Sequence, residues 1–162
     1  MYILNMFFIS SILGHFIENF FYTTKDSGIM YGYWTPIYGI GVVIIILIND
    51  FISKKKLKPI YHAIYVFFIS ALILSIMEYI GGFLIEILFH KTFWDYSNQA
   101  LNIGKYTSLS MSIIWGISSI IFLYLLKPLL ELIIKKIPKI ITYILSIIFI
   151  IDFLFTICKS FS

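Results

Sequence analysis

The chain has 162 residues, of which 60% are hydrophobic, 19% aromatic and only 12% charged. A soluble domain carries about 25% charged residues, so this composition cannot clothe a water-exposed surface, and a soluble globular fold is excluded. The formal net charge is +4 and every one of the 12 positive residues is a lysine. They fall between hydrophobic segments, a pattern that fits membrane topology better than phosphate recognition and argues against nucleic acid as a partner.

In chain order, the apolar runs predict an all-α, polytopic transmembrane helix bundle. It forms one integral membrane domain over 1–162, with about five spans and short interfacial helices. The first span, about 2–22, carries His15, Glu18 and Asn19. No basic region precedes it, so it reads as a retained helix rather than a signal peptide. The second, about 33–52, has Pro36 in its first turn, where a missing N–H costs least. A turn with Lys54, Lys55, Lys56 and Lys58 follows. The next apolar run, 60–89, would reach about 45 Å as one helix against a hydrocarbon core of about 30 Å. Paired glycines favour kinks, so a break is expected at Gly81-Gly82, giving a span at 60–81 and a shorter helix at 82–91. The fourth span covers about 106–126. Between Pro128 and Pro138, Glu131 and Lys135 stand four apart on a segment suited to a short interfacial helix. The fifth span, about 139–158, contains Asp152, whose partner the sequence does not decide. Cys158 stands alone, which leaves no intrachain disulfide and no cysteine metal cluster.

Lysine counting orients the bundle. Lys54, Lys55, Lys56, Lys58, Lys127, Lys135, Lys136 and Lys139 share one side; Lys25, Lys91, Lys105 and Lys159 share the other. The richer side is expected in the cytoplasm, which places the 91–105 loop outside. The bias toward Ile, Lys and Asn suggests an AT-rich genome, so the expected location is a bacterial cell membrane, crossed several times.

The sparse polar residues converge in depth. At about 1.5 Å per residue, Glu18 and Glu78 each lie roughly 24–27 Å up from the inner ends of their helices. Tyr38 and Ser112 lie within roughly 5–14 Å of the outer surface by the same measure. His15, Glu18, Tyr38, Glu78, Glu86 and Ser112 are therefore read as a polar cavity in the outer leaflet, since ionisable groups in spans default to pathways or sites. The plainer reading makes the two glutamates structural hydrogen-bonding partners between helices and His15 a satisfied buried histidine. Above them the loop places Trp94, Asp95, Tyr96, Ser97, Asn102 and Lys105. It is read as a lid, with the aromatic residues as interfacial anchors in the plainer alternative.

The stretches "SSILGHFIENFFY", "GIMYGYWTPIYGIG" and "MEYIGGFLIEILFHKTFWDYSNQALNIGKYTSLSMSIIWGI" resemble, in order, the motif blocks of the ABC-transporter type IV family, the CmpB-like permeases. The resemblance covers about 8–120. It implies a bacterial multi-span permease with Glu18, Pro36, Tyr38, Gly39, Glu78, Tyr79, Glu86, Trp94, Asp95, Tyr96, Ser97, Asn102 and Gly104 on motif positions. His15 stands where the pattern has a tryptophan and Lys105 where it has an arginine, so no role here can rest on the bidentate fork of arginine.

A Walker A motif needs G-x-x-x-x-G-K-[ST], and Gly104-Lys105 is followed by Tyr106 with no upstream glycine at that spacing. No ATPase motif lies in this chain, so an ABC-type transporter would draw its ATPase from a separate subunit. The expectation is a permease or transport-associated subunit in the lipid bilayer, in a homo- or hetero-oligomer, with no cofactor, metal or catalytic residue assigned. The alternatives are an accessory or regulatory membrane protein, or a small membrane enzyme acting on a lipid-linked or cell-envelope substrate.

Overall fold

The computed structural model describes residues 1–21 and 29–160; Tyr22 and Lys25 lie outside them. The elements are α1 (Tyr2–Phe21), α2 (Pro36–Ser53), α3 (Pro59–Phe89), β1 (Asn102–Ile103), β2 (Thr107–Ser108), α4 (Leu109–Ile121), a π-helical turn (Phe122–Leu126), α5 (Lys127–Ile134) and α6 (Lys139–Ser160). Five helical stretches among the described residues are long and apolar enough to cross a membrane, as expected of an all-α membrane bundle.

Three boundaries differ from the sequence expectation, each for a physical reason. First, α2 begins at Pro36, not near 33, because the preceding chain bends and its N–H groups are committed outside the helix, that of Trp34 to the Gly32 carbonyl. The Thr35 N–H donates to the Ser11 carbonyl at 3.0 Å, and Trp34 is buried.

Second, α3 does not break at Gly81-Gly82. It runs unbroken for 31 residues and ends where His90 adopts a left-handed conformation (φ 53°), its N–H returning to the Glu86 carbonyl. Gly82 serves side-chain packing instead. A Cβ there would stand 2.9 Å from the Tyr106 ring and 3.1 Å from the Trp94 indole. At about 1.5 Å per residue α3 exceeds a bilayer core by roughly 15 Å, so it tilts or projects.

Third, the helical run that begins with α4 does not end at 126, and α5 follows the π turn without a break. One apolar helical stretch of 26 residues runs from Leu109 to Ile134. Proline inside a helix lacks an N–H and clashes with the carbonyl four residues back. The π turn just before Pro128 opens the ladder, with the Lys127 N–H reaching Phe122 O, and the helix continues through the proline.

Contacts group the chain into two compact units: residues 1–43 with 129–162, and residues 44–128. In the first, Met6, Phe8, Trp34, Leu130 and Ile134 are buried, and Phe149 packs edge-on to Phe7, Phe8 and Trp34. The buried Thr142 hydroxyl donates to Asn5 Oδ1 at 2.6 Å. Two glycines let α1 and α2 touch. A Cβ on Gly14 would lie 2.3 Å from the Tyr38 ring, and one on Gly39 would lie 2.2 Å from Ser11 Oγ. Small residues allow this close approach between membrane helices, where packing replaces hydrophobic exclusion.

In the second unit, α3 packs along α4. Val66, Ser70, Leu74, Glu78 and Gly82 are buried, one residue every four, which is a single helical stripe. Facing it, Gly116 receives the Phe67 ring, and Ser75 and Ser112 share a hydrogen bond of 2.7 Å. Beyond α3 the chain forms a two-stranded antiparallel hairpin, Asn102 opposite Ser108 and Ile103 opposite Thr107.

Candidate functional site

Glu78 is the most deeply buried acidic residue described, with 3% exposure inside a membrane-length helix. Burying a carboxylate is costly unless its oxygens accept hydrogen bonds. Here the donors come from the segment after α3. The Tyr96 hydroxyl donates to Oε1 at 3.2 Å and the Thr107 hydroxyl to Oε2 at 2.8 Å. The buried Trp115 indole N–H is a further polar neighbour of the same carboxylate.

The loop is fastened down at several points. The Trp94 indole donates to the Tyr106 carbonyl at 3.0 Å, and the Tyr96 N–H donates to the Lys105 carbonyl at 2.9 Å. Two turns further along α3, Glu86 accepts from Lys105 Nζ at 2.7 Å and from the Tyr106 hydroxyl at 2.8 Å. Glu86–Lys105 is the ion pair found among the described residues. The Glu86 carboxylate holds the Lys105 ammonium above its ordinary pKa and likewise raises the Tyr106 phenol. Because α3 is continuous, Glu78, Gly82 and Glu86 fall on one face, and the loop closes over that face: Tyr96 on the first, Trp94 on the second, Lys105 on the third.

The other residues read as a lid bind inside the loop itself. Asp95 Oδ1 accepts from the Ser97 N–H at 2.8 Å and from the Ser97 hydroxyl. Those two bonds hold its carboxyl below the usual aspartate range. Asn102 Nδ2 donates to the Gly104 carbonyl at 2.7 Å, where glycine supplies φ 57°. Of the residues read as a lid, Tyr96 and Lys105 reach the α3 carboxylates Glu78 and Glu86, whereas Asp95, Ser97 and Asn102 shape the loop.

Of the remaining expected residues, His15, Glu18 and Tyr38 lie in the first unit. His15 is buried, with Nε2 at 2.9 Å from Asn19 Nδ2 and Nδ1 without a partner. Glu18 is approached by the Thr35 hydroxyl at 3.4 Å and by the Tyr38 side chain. Thus His15, Glu18 and Tyr38 form one polar cluster, and Glu78, Glu86 and the loop form a second. Ser112 belongs with neither carboxylate. It pairs with Ser75 and lines an apolar groove of about 430 Å³ under the hairpin, together with Leu72, Ile76, Leu101, Ile103 and Leu109.

Sequence reasoning missed Thr107 and Gln99. Thr107 is the second partner of Glu78, and Gln99 Oε1 accepts from the hydroxyls of Ser108 and Ser110. A serine just before an apolar helical run is a capping signal, and it could have placed the start of α4 at Ser108, whose side chain accepts from the Met111 N–H. The partners of Asp152 were also unread. Its carboxylate gathers the N–H groups of Tyr31 (3.1 Å) and Gly32 (2.8 Å) and the Trp34 indole (2.6 Å).

Among the described residues, no group of three or more His, Cys, Asp or Glu side chains is placed to hold a metal ion. No curated protein and no solved structure matches the chain. A family model does, over residues 5–161, and its description is "Putative ABC-transporter type IV". That match covers nearly the whole chain, beyond the blocks that first suggested it, and the protein belongs to this ABC-transporter type IV family of membrane proteins.

Proposed function

We propose that this chain is the membrane-embedded permease, or transport subunit, of an ABC-type transporter in a bacterial cell membrane, and that its ATPase is a separate protein. The observation that carries the reading is Glu78, an ionisable residue within a membrane span whose hydroxyl partners both come from outside its own helix. Such residues in spans mark substrate or ion pathways by default. Family membership supports the same reading, and the absence of a Walker A motif from these residues is in keeping with a separate ATPase subunit.

Glu78 joins the loop to the pathway. Ionised, its two oxygens accept from Tyr96 and Thr107 at once. Protonated, one oxygen becomes a donor, and one of those two bonds must rearrange. The charge at Glu78 therefore sets one of the several contacts that hold the 91–106 segment, and a substrate group that competes for the carboxylate would release Tyr96 and Thr107.

Affinity purification of the tagged chain from its native membranes, after gentle detergent extraction, tests the assignment. The expected result is recovery of a soluble-domain subunit bearing a Walker A motif, at a fixed ratio to the bait. Recovery of the chain as a stable oligomer of itself alone would instead favour the accessory-protein reading.

A further inference from the structure

Apart from the site above, the second unit carries a shallow groove of about 390 Å³ lined by Ile44, Leu47, Ile48, Phe51, Ile69 and Ile73, a size within the ordinary ligand range. Its wall is entirely hydrocarbon and aromatic. Ile44, Leu47, Ile48 and Phe51 recur at helical spacing along one stripe of α2, and Leu47 and Phe51 are 56% and 61% exposed. Phe51 lies where α2 runs into the Ser53–Lys58 turn, and the Lys55 ammonium stands over its ring, 5.5 Å from the centroid.

The same turn presents Lys54, Lys55, Lys56 and Lys58, all exposed, with Lys56 at φ 48° bending the chain back toward α3. None of the four takes part in an ion pair among the described residues. The nearest acid in sequence, Asp50, accepts instead from the Asn49 amide at 3.5 Å. Topology alone accounts for lysines at this end of the helices. It does not account for an open apolar channel that ends beneath them.

We infer that the groove and the lysine turn together bind an anionic phospholipid. One acyl chain lies along Ile44, Leu47, Ile48, Ile69 and Ile73, and the phosphate sits at Lys54, Lys55, Lys56 and Lys58. Charge complementarity selects this occupant. A juxtamembrane lysine contributes about 1 kcal/mol of attraction toward an anionic leaflet, and the groove fixes a chain below that charge. A second copy of this protein docking symmetrically would bring its own four lysines against these and be repelled.

Native mass spectrometry of the purified full-length chain, exchanged into mixtures of phosphatidylglycerol and phosphatidylcholine with identical acyl chains, tests the proposal. The wild type is expected to retain phosphatidylglycerol in preference. Lys55→Gln with Lys56→Gln should lower that preference about thirtyfold, whereas the corresponding arginine pair should keep it. Leu47→Trp, which fills the groove and leaves every lysine in place, should also reduce bound lipid. Four results would overturn the site. They are equal retention of the two lipids by the wild type, full retention in Leu47→Trp, equal competition by soluble glycerol phosphate, and an equal loss in a Lys135→Gln, Lys136→Gln control that removes the same charge elsewhere.

Discussion

Glu78 and Gly82 show how single residues set the loop. Removing the carboxylate altogether, Glu78→Ala, leaves the Tyr96 and Thr107 hydroxyls facing an apolar void and should cost about 1–3 kcal/mol, read as a lower melting temperature in detergent. Glu78→Gln keeps the shape and an acceptor, so the fold should survive while any function that needs a charge is lost. Gly82→Ala should act on the loop rather than on α3. Its added methyl meets the Tyr106 and Trp94 rings at 2.9 and 3.1 Å, and the rings must move. Limited proteolysis should then cut the 91–105 segment faster, with helix content unchanged. The flanking charges act oppositely with pH. Asp95 is held below its ordinary range, so its contribution is present above about pH 3.9 and is lost as pH falls further. Lys105 is held above its own, so its contribution is present below about pH 10.4 and is lost as pH rises past it. In a Glu78→Gln background, loop cleavage should therefore be flat between about pH 5 and pH 9.

At the scale of elements, the five membrane-length helices were legible because about 20 consecutive apolar residues have few other uses. The errors came where one residue type has two physical roles. Gly81-Gly82 reads as a kink, yet Gly82 is needed because two rings press on the helix there. Pro128 reads as a terminator, yet a π turn absorbs it. The hairpin at 102–108 escaped notice because two residues per strand carry no periodicity. Contacts over long sequence separation were the least readable. Glu78 and Glu86 stood out as acids in an apolar run, but nothing local pairs them with Thr107 or Lys105. Nor does the sequence near Asp152 announce the 31–34 segment that it anchors by three N–H groups. Replacing Asp152 by alanine should free that segment at a cost of roughly 1–3 kcal/mol. Hydrogen exchange at Tyr31 and Gly32 should rise well before that of α6.

For the whole molecule, the orientation implied by the lysines is tested by single cysteines at Ser53 and Asn98 in a Cys158→Ser background. An impermeant maleimide added to intact cells should label position 98 and spare position 53, and the reverse pattern would invert the topology. The central claim is that an ionisable Glu78 under the loop serves a transport subunit. Its most direct test is the ATP hydrolysis rate of the complex co-purified with this chain, wild type against Glu78→Gln, at matched yield and melting temperature. The account predicts that the complex assembles equally well and that hydrolysis falls at least about tenfold, a transition-state loss of about 1.4 kcal/mol or more. An undiminished rate in a fully assembled, equally stable Glu78→Gln complex would contradict it.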